Sequence, residues 1–424
     1  MKTTTLLAGI VVCALCSLGA VPAGDDPVMR TQHWQEDLDF FAREFPAKQK
    51  DFTLLVRPSD FETAVAELKR NVPQLSDPEI VLELTRIVAG LGVAHTDVAF
   101  GSASAVGAFH GYPIQMQWFS DGLAVVAATP EHREMLGCRV LRIGSMTPEQ
   151  VEAAVAPYIA HENGAKLRLD SPRFMNVAEL MQYKKIAGAD GRLSLTLVGA
   201  NGKEFTQEIK PGGRAGSGRG WVQATQAFQI PAGLARKHPE AAYWYEYLPD
   251  EQAFYIQYNK CINETNLPFA VFARALFSLA DARPIQRVIV DLRFNSGGNS
   301  SIVQPLLDGL KARPALSARG HLYALVGART FSSGVFATMD LRNNLGAVLV
   351  GEPAANKPNH YGEQKVLVLP NSKLLVHYSV KHFHLVANAD PPAIEPDVVA
   401  APTLNDFLAG RDRALDAALR HPLQ

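Results

Sequence analysis

Between Val288 and Val350 the chain alternates short, wholly apolar runs with segments of helical spacing, and this alternation restricts the fold more than any other feature. Val288-Ile289-Val290-Asp291-Leu292, Leu322 to Val326 and Ala347 to Val350 lack an in–out alternation, as expected of strands covered on both faces. Ser301 to Leu310 and Ser333 to Asn343 read as the helices between them. The order β-α-β-α-β predicts parallel strands with right-handed crossovers, because a hairpin cannot join parallel neighbours. Chemistry in such sheets collects at the carboxyl ends of the strands. Two loops fall there, Arg293 to Asn299 and Gly327 to Ser333.

The first loop carries Asn295-Ser296-Gly297-Gly298-Asn299 ahead of a helix. Paired glycines let backbone N–H groups approach a ligand, and a helix N-terminus favours negative charge. Such a turn can hold a phosphate, stabilise an acyl-transfer oxyanion, or only connect strand to helix. The second loop, Thr330-Phe331-Ser332-Ser333-Gly334, sets a serine where a strand turns into a helix. That is the setting of a nucleophile elbow, and equally of a helix cap. The G-x-S-x-G spacing of the α/β-hydrolases is absent.

Upstream the pattern differs. Trp34, Leu38, Phe41 and Phe45 share a helical face, and Ser59 to Glu62 and Ser76 to Glu79 both have the capping-box form. Gly90-Leu91-Gly92 is expected to end the last of these helices, directly before His95. From Tyr112 short strands follow: Ile114 to Trp118 and Leu123 to Ala127 about Ser120-Asp121-Gly122, then Gly137 to Gly144, a helix from Thr147 to Val155, and Leu193 to Val198 leading into Asn201-Gly202. This order resembles a PDZ domain, with residues 160–190 longer than a compact one supplies. Pro211 to Gly220 reads as a glycine-rich linker.

The N-terminus reads as a secretory signal. Leu6 to Cys16 is apolar but too short to span a bilayer, and cleavage is expected after Ala20 or Ala23. The expectation is a periplasmic or secreted protein with no stable membrane insertion. Of four cysteines only Cys138 and Cys261 lie beyond the signal, and either a disulfide or two buried thiols is open to them. No Cys/His spacing suits zinc, so no metal or other cofactor is expected. A net charge of −1 removes the electrostatic footprint of a nucleic-acid binder.

The runs V-I-V-D-L-R-F-N-S-G-G-N, R-T-F-S-S-G and V-L-V-G-E-P, in that order, resemble the carboxy-terminal processing (tail-specific) serine peptidase family, nearer its tricorn-like branch. The terminal E-P-D-V-V at Glu395 to Val399 extends the match. The resemblance implies a multi-domain α+β chain: a signal at 1–23, an N-terminal helical domain at 24–105, a PDZ-like β domain with an insertion at 106–211, and a crotonase/ClpP-like βαβ catalytic core at 212–424. It puts the nucleophile at Ser332 rather than Ser333, with an oxyanion hole from Ser333 N–H and Gly297 or Gly298. The base is His95 in the A-H-T motif, with Lys357 as the alternative and His360 as a rival; Asp390 is the orienting carboxylate, ahead of Glu395 and Glu352.

The implied function is an exported serine endopeptidase that cleaves peptide or unfolded-protein substrates through an acyl-enzyme, with a homo-oligomer possible. Two other classes stay open. One is a non-catalytic ligand- or peptide-binding protein on the same fold; the other is acyl-thioester chemistry on the crotonase-like core.

Overall fold

The structure, a computed structural model, describes residues 26–99, 109–215, 218, 220–318 and 320–423. The secretory-signal reading, its cleavage sites, and Gly216, Ser217 and Arg219 of the linker lie outside the described residues.

Helix α1 (Pro27–Lys48) buries Trp34, Leu38, Phe41 and Phe45 against α2 (Pro58–Asn71) and α3 (Asp77–Ala89), following their shared face. Ser76 and Glu79 form the expected capping box on α3. Ser59 does not cap α2: Pro58, whose fixed φ suits the first helical position, starts that helix earlier and puts Ser59 inside it. Gly92, at φ 67°, turns the chain out of the last helix toward His95.

An antiparallel sheet follows, in spatial order β1 (Ile114–Phe119), β2 (Gly122–Ala128), β3 (Arg139–Ile143), β4 (Leu193–Val198) and β5 (Glu204–Ile209). Between β3 and β4 the chain forms α4 (Pro148–Val155), capped by Thr147, and the longer stretch forms α5 (Gly164–Met175) and a short helix, Ala178–Tyr183. The helical segment and this sheet share one apolar core, which also takes in Leu367, Leu369, Leu374 and Val376. Those four belong to a hairpin much further along the chain. Its turn is held on α1 by the buried Asp37 carboxylate, which accepts from the Asn371 and Ser372 N–H groups at 2.7 and 2.8 Å.

The second sheet contains the strands read from the sequence. Antiparallel β6 (Tyr243–Leu248) and β7 (Ala253–Tyr258) precede β8 (Arg287–Asp291), and α6 (Phe269–Ala280) covers one face. Strand β8 is parallel to β7 and to β9 (Leu322–Val326); β9 is parallel to β10 (Val348–Gly351). The crossovers are α7 (Gln304–Lys311), entered through a 3-10 turn, and α8 (Ser333–Leu345). The hairpin is β11 (His360–Val368) with β12 (Leu375–Phe383), and β13 (Val398–Val399) adds to β10. Cys138 and Cys261 are both buried free thiols. No described helix is long and apolar enough to cross a membrane.

The C-terminal helix α9 (Arg413–Arg420) packs Ala414, Leu415 and Ala418 against Tyr255, Ile289 and Tyr323. A charge cluster fixes it there. Arg293 donates to Asp291 at 2.6 Å and, as a two-armed fork, to Asp412 at 2.6 and 2.8 Å; the Tyr255 hydroxyl donates to Asp291. The nearby guanidinium holds the Asp412 carboxyl below its ordinary range against the opposing effect of burial. Asp412 also caps α9 through the Leu415 N–H. Removing one partner of a buried pair leaves the other charge uncompensated, so Asp412→Ala is expected to destabilise the fold by about 3 kcal/mol. Urea unfolding checks this: the midpoint should fall with an unchanged slope.

Candidate active site

The site forms where β8 and β9 end side by side, and backbone contact between their two loops creates it. Asn295, fully buried, donates to the Tyr258 carbonyl at 2.8 Å and accepts from Gly297 N–H at 2.9 Å. Cys261 N–H donates to the Gly297 carbonyl at 2.9 Å, and Asn299 N–H to the Cys261 carbonyl at 2.8 Å. The glycine turn is thereby clamped to the chain leaving β7. Gly297 and Gly298 have φ of 104° and 131°. A Cβ on Gly297 would lie 2.6 Å from Ser332 Cβ, and one on Gly298 would lie 2.4 Å from the Cys261 carbonyl oxygen. Both conformation and contact require glycine.

The serine loop meets this turn. Phe331 N–H donates to the Asn295 carbonyl at 2.9 Å, and the Thr330 hydroxyl donates to the Leu292 carbonyl at 2.9 Å. Ser332 precedes α8 with φ 51° and ψ −124°, a conformation that costs a non-glycine residue on the order of 1–3 kcal/mol. Its N–H donates to Asn356 Oδ1 at 2.8 Å.

The adjacent serines are separated by their partners. Ser333 is buried and its hydroxyl donates to the Gly298 carbonyl at 2.6 Å, which commits it to structure. No group among the described residues bonds the Ser332 hydroxyl. The oxyanion candidates divide in the same way, since Gly297 N–H is occupied by Asn295 Oδ1. Gly298 N–H and Ser333 N–H, the latter in the first turn of α8, have no acceptor among the described residues. Of the two glycines expected to offer a donor, Gly297 has its N–H taken up by Asn295, which leaves Gly298 as the candidate.

His95 is brought to this point although it precedes Ser332 by most of the chain. Its ring stacks on Phe331 with centroids 4.3 Å apart and planes 22° apart. Neither ring nitrogen has a partner among the described residues. Burial, with smaller contributions from His360 and Lys166, lowers its pKa to about 3, so the imidazole is neutral. Lys166 lies over the Phe331 ring, 4.9 Å from its centroid. His360 stands 5.7 Å from His95, its Nδ1 2.9 Å from the Lys357 carbonyl oxygen, and burial lowers its pKa as well.

The other expected groups are engaged elsewhere. Lys357 is ion-paired with Asp390, and among the described residues no hydrogen bond joins Lys357 to the Ser332 hydroxyl or Asp390 to the His95 ring. Position near the end motif carried no information on side-chain direction, and a lysine next to Asp390 captures it. Asp397 accepts from Arg342 and from Leu349 N–H, a structural role. Glu352 has its carboxyl raised by burial.

One residue at the site has no sequence signal. Glu162 accepts from Asn356 Nδ2 at 2.9 Å and, more weakly, from Ala94 N–H at 3.3 Å and Lys357 N–H at 3.4 Å. Withdrawal from water raises its carboxyl to about 7.

No protein-family model matches the chain, and no curated protein matches it significantly in sequence. Among solved structures, mature CPAF complexed with lactacystin superposes with a TM-score of 0.64 at 14% identity, over 92% of this chain and 98% of that one. A CPAF mutant with a serine replaced by alanine superposes with a TM-score of 0.63 at 12% identity, over 92% and 97%. The chain thus has the fold of mature CPAF along nearly its whole described length.

The buried imidazole makes stability depend on pH in a defined direction. With its folded pKa lowered from 6.5 to about 3, His95 contributes no penalty above pH 6.5. As pH falls below that value the unfolded chain takes up a proton that the folded chain refuses, and stability is lost. His95→Phe removes this term and is expected to spare about 2 kcal/mol at about pH 5 relative to neutral pH. Denaturant melts of both proteins at the two pH values check it. Glu162, raised and therefore acting in the opposite sense, is common to both and cancels in the difference.

Proposed function

We propose that this chain is an exported serine peptidase of the carboxy-terminal processing type, acting through an acyl-enzyme on Ser332. The observation that carries the reading is the strained Ser332, its hydroxyl unengaged among the described residues, set against a glycine turn, with a buried neutral histidine stacked on the adjacent Phe331. The motif resemblance and the likeness of fold to mature CPAF support it.

In this reading Ser332 Oγ attacks the peptide carbonyl carbon while its proton passes to His95. The carbonyl oxygen becomes the oxyanion and accepts from Gly298 and Ser333 N–H, at the N-terminus of α8. Collapse of the tetrahedral species breaks the C–N bond, His95 returns the proton to the leaving amine, and an ester to Ser332 remains. Water, deprotonated by the same ring, then attacks the ester; the acyl–Oγ bond breaks, the ring returns its proton to Ser332 Oγ, and the acid is released. Each oxyanion donor in such a site contributes about 3–4 kcal/mol to lowering the barrier. His95 is favoured over Lys357 because the Lys357 side chain is engaged in an ion pair with Asp390. A neutral imidazole beside Phe331 needs no prior deprotonation.

A fluorophosphonate probe tests the reading directly. Stoichiometric labelling of Ser332, absent in Ser332→Ala and slowed about 10³-fold or more in His95→Ala, is the expected result. Lys357→Met should label at close to the wild-type rate. Absence of labelling in the folded wild-type protein favours a non-catalytic binding protein on this fold. Loss in Lys357→Met with retention in His95→Ala moves the base to the lysine. Lactacystin, bound in the CPAF complex, serves as a second probe.

A further inference from the structure

Glu162 takes no part in the proton transfers above, yet its carboxylate is bonded to the segment that carries His95 and to Asn356, the residue that binds the Ser332 backbone. One oxygen accepts from Ala94 N–H, the residue before His95; the other accepts from Asn356 Nδ2. That second bond decides how the Asn356 amide is turned. With Nδ2 directed at the carboxylate, Oδ1 faces Ser332 and accepts its N–H at 2.8 Å. The neighbouring Asn163 adds a further tie, donating to the Ala354 carbonyl at 3.0 Å while capping α5 through Lys166 N–H. Residues 162 and 163 thus strap the 354–357 segment behind the serine.

A strained backbone persists only where its surroundings over-determine it. Among the described residues the Ser332 N–H has a single acceptor, and that acceptor is oriented by one carboxylate from a distant part of the chain.

We propose that Glu162 is a positioning residue, which through Asn356 holds the Ser332 backbone in its reactive conformation and makes that conformation dependent on the segment between β3 and β4. The catalytic part of this inference rests on Ser332 being the nucleophile; the backbone brace itself does not. The extra length that departs from a compact PDZ-like domain therefore has a use, in completing a site built on the other sheet. The titratable groups facing the carboxyl are Lys357, on the strapped segment, and Tyr361 on β11, with His95 next to the bonded Ala94.

Hydrogen exchange on the full chain, read at Ser332 and its neighbours, tests the brace without reference to activity. In Glu162→Ala, exchange at the Ser332 amide should accelerate about tenfold or more, with Glu162→Gln, which keeps an acceptor oxygen, retaining most of the protection. Asn356→Ala should reproduce the loss and serves where Glu162→Ala does not fold. Unchanged Ser332 protection in the folded variants overturns the inference.

Fluorophosphonate labelling adds a readout that a merely structural role would not move. The wild-type rate should rise with pH through about 7 as the carboxylate ionises and accepts more strongly, and Glu162→Gln should lack that rise. A matching rise in Glu162→Gln contradicts the role assigned to the carboxylate. Absence of labelling in wild type, with exchange still dependent on Glu162, removes the peptidase reading while leaving the brace.

Discussion

The contact between Gly297 and Ser332 is the constraint on which the rest of the structure depends. Two loops at the ends of adjacent parallel strands approach so closely that a single Cβ would lie 2.6 Å from the serine side chain. That approach demands positive φ at both glycines and at Ser332, and each strained residue needs external support. The support comes from opposite directions: Tyr258, Cys261 and Asn295 brace the glycine turn, and Asn356 braces the serine. Buried parallel strands make a suitable platform because their ends are fixed by packing on both faces. The result is two N–H groups, on Gly298 and Ser333, that have no acceptors among the described residues, next to a Ser332 hydroxyl that likewise has no partner among them.

Bringing a histidine to this point requires the whole chain. His95 lies on the helical segment, whose core is continuous with the antiparallel sheet and with hairpin β11–β12. The hairpin follows the catalytic elements in sequence yet returns to α1, where Asp37 holds its turn. Through this closure the ring is buried against Phe331 and kept neutral. In the proposed mechanism, burial is unfavourable to the imidazolium that forms, and the oxyanion forming at the same moment offsets it by attraction at short range. Desolvation would thus keep the proposed base neutral at rest and link its protonation to the proposed chemical step.

The parallel sheet was legible in the sequence because its strands are buried on both faces, so Val288–Val290 and Leu322–Val326 are unbroken apolar runs. The glycine turn and the serine elbow were legible because their residue types are dictated by φ and close approach. The motif resemblance already chose Ser332 over Ser333, and the coordinates add a physical distinction, the bond of the Ser333 hydroxyl to the Gly298 carbonyl. Hairpin β11–β12 was not anticipated: Glu363 to Val366 are all exposed and give no alternation of buried and exposed positions. Glu162 and Asn356 were beyond reach, since they meet Ser332 only through the tertiary fold and have no characteristic spacing. Asp390 shows the converse, where position in a motif suggested a role and a neighbouring lysine determines its actual partner.

The central claim is that Ser332, Gly298 and Ser333 form one acyl-transfer centre. The most direct measurement is a crystal structure of the fluorophosphonate adduct. The account predicts phosphorus bonded to Ser332 Oγ, with one phosphoryl oxygen roughly 2.7–3.1 Å from both the Gly298 and Ser333 nitrogens. An adduct on another residue, or a phosphoryl oxygen turned away from both amides, would contradict it.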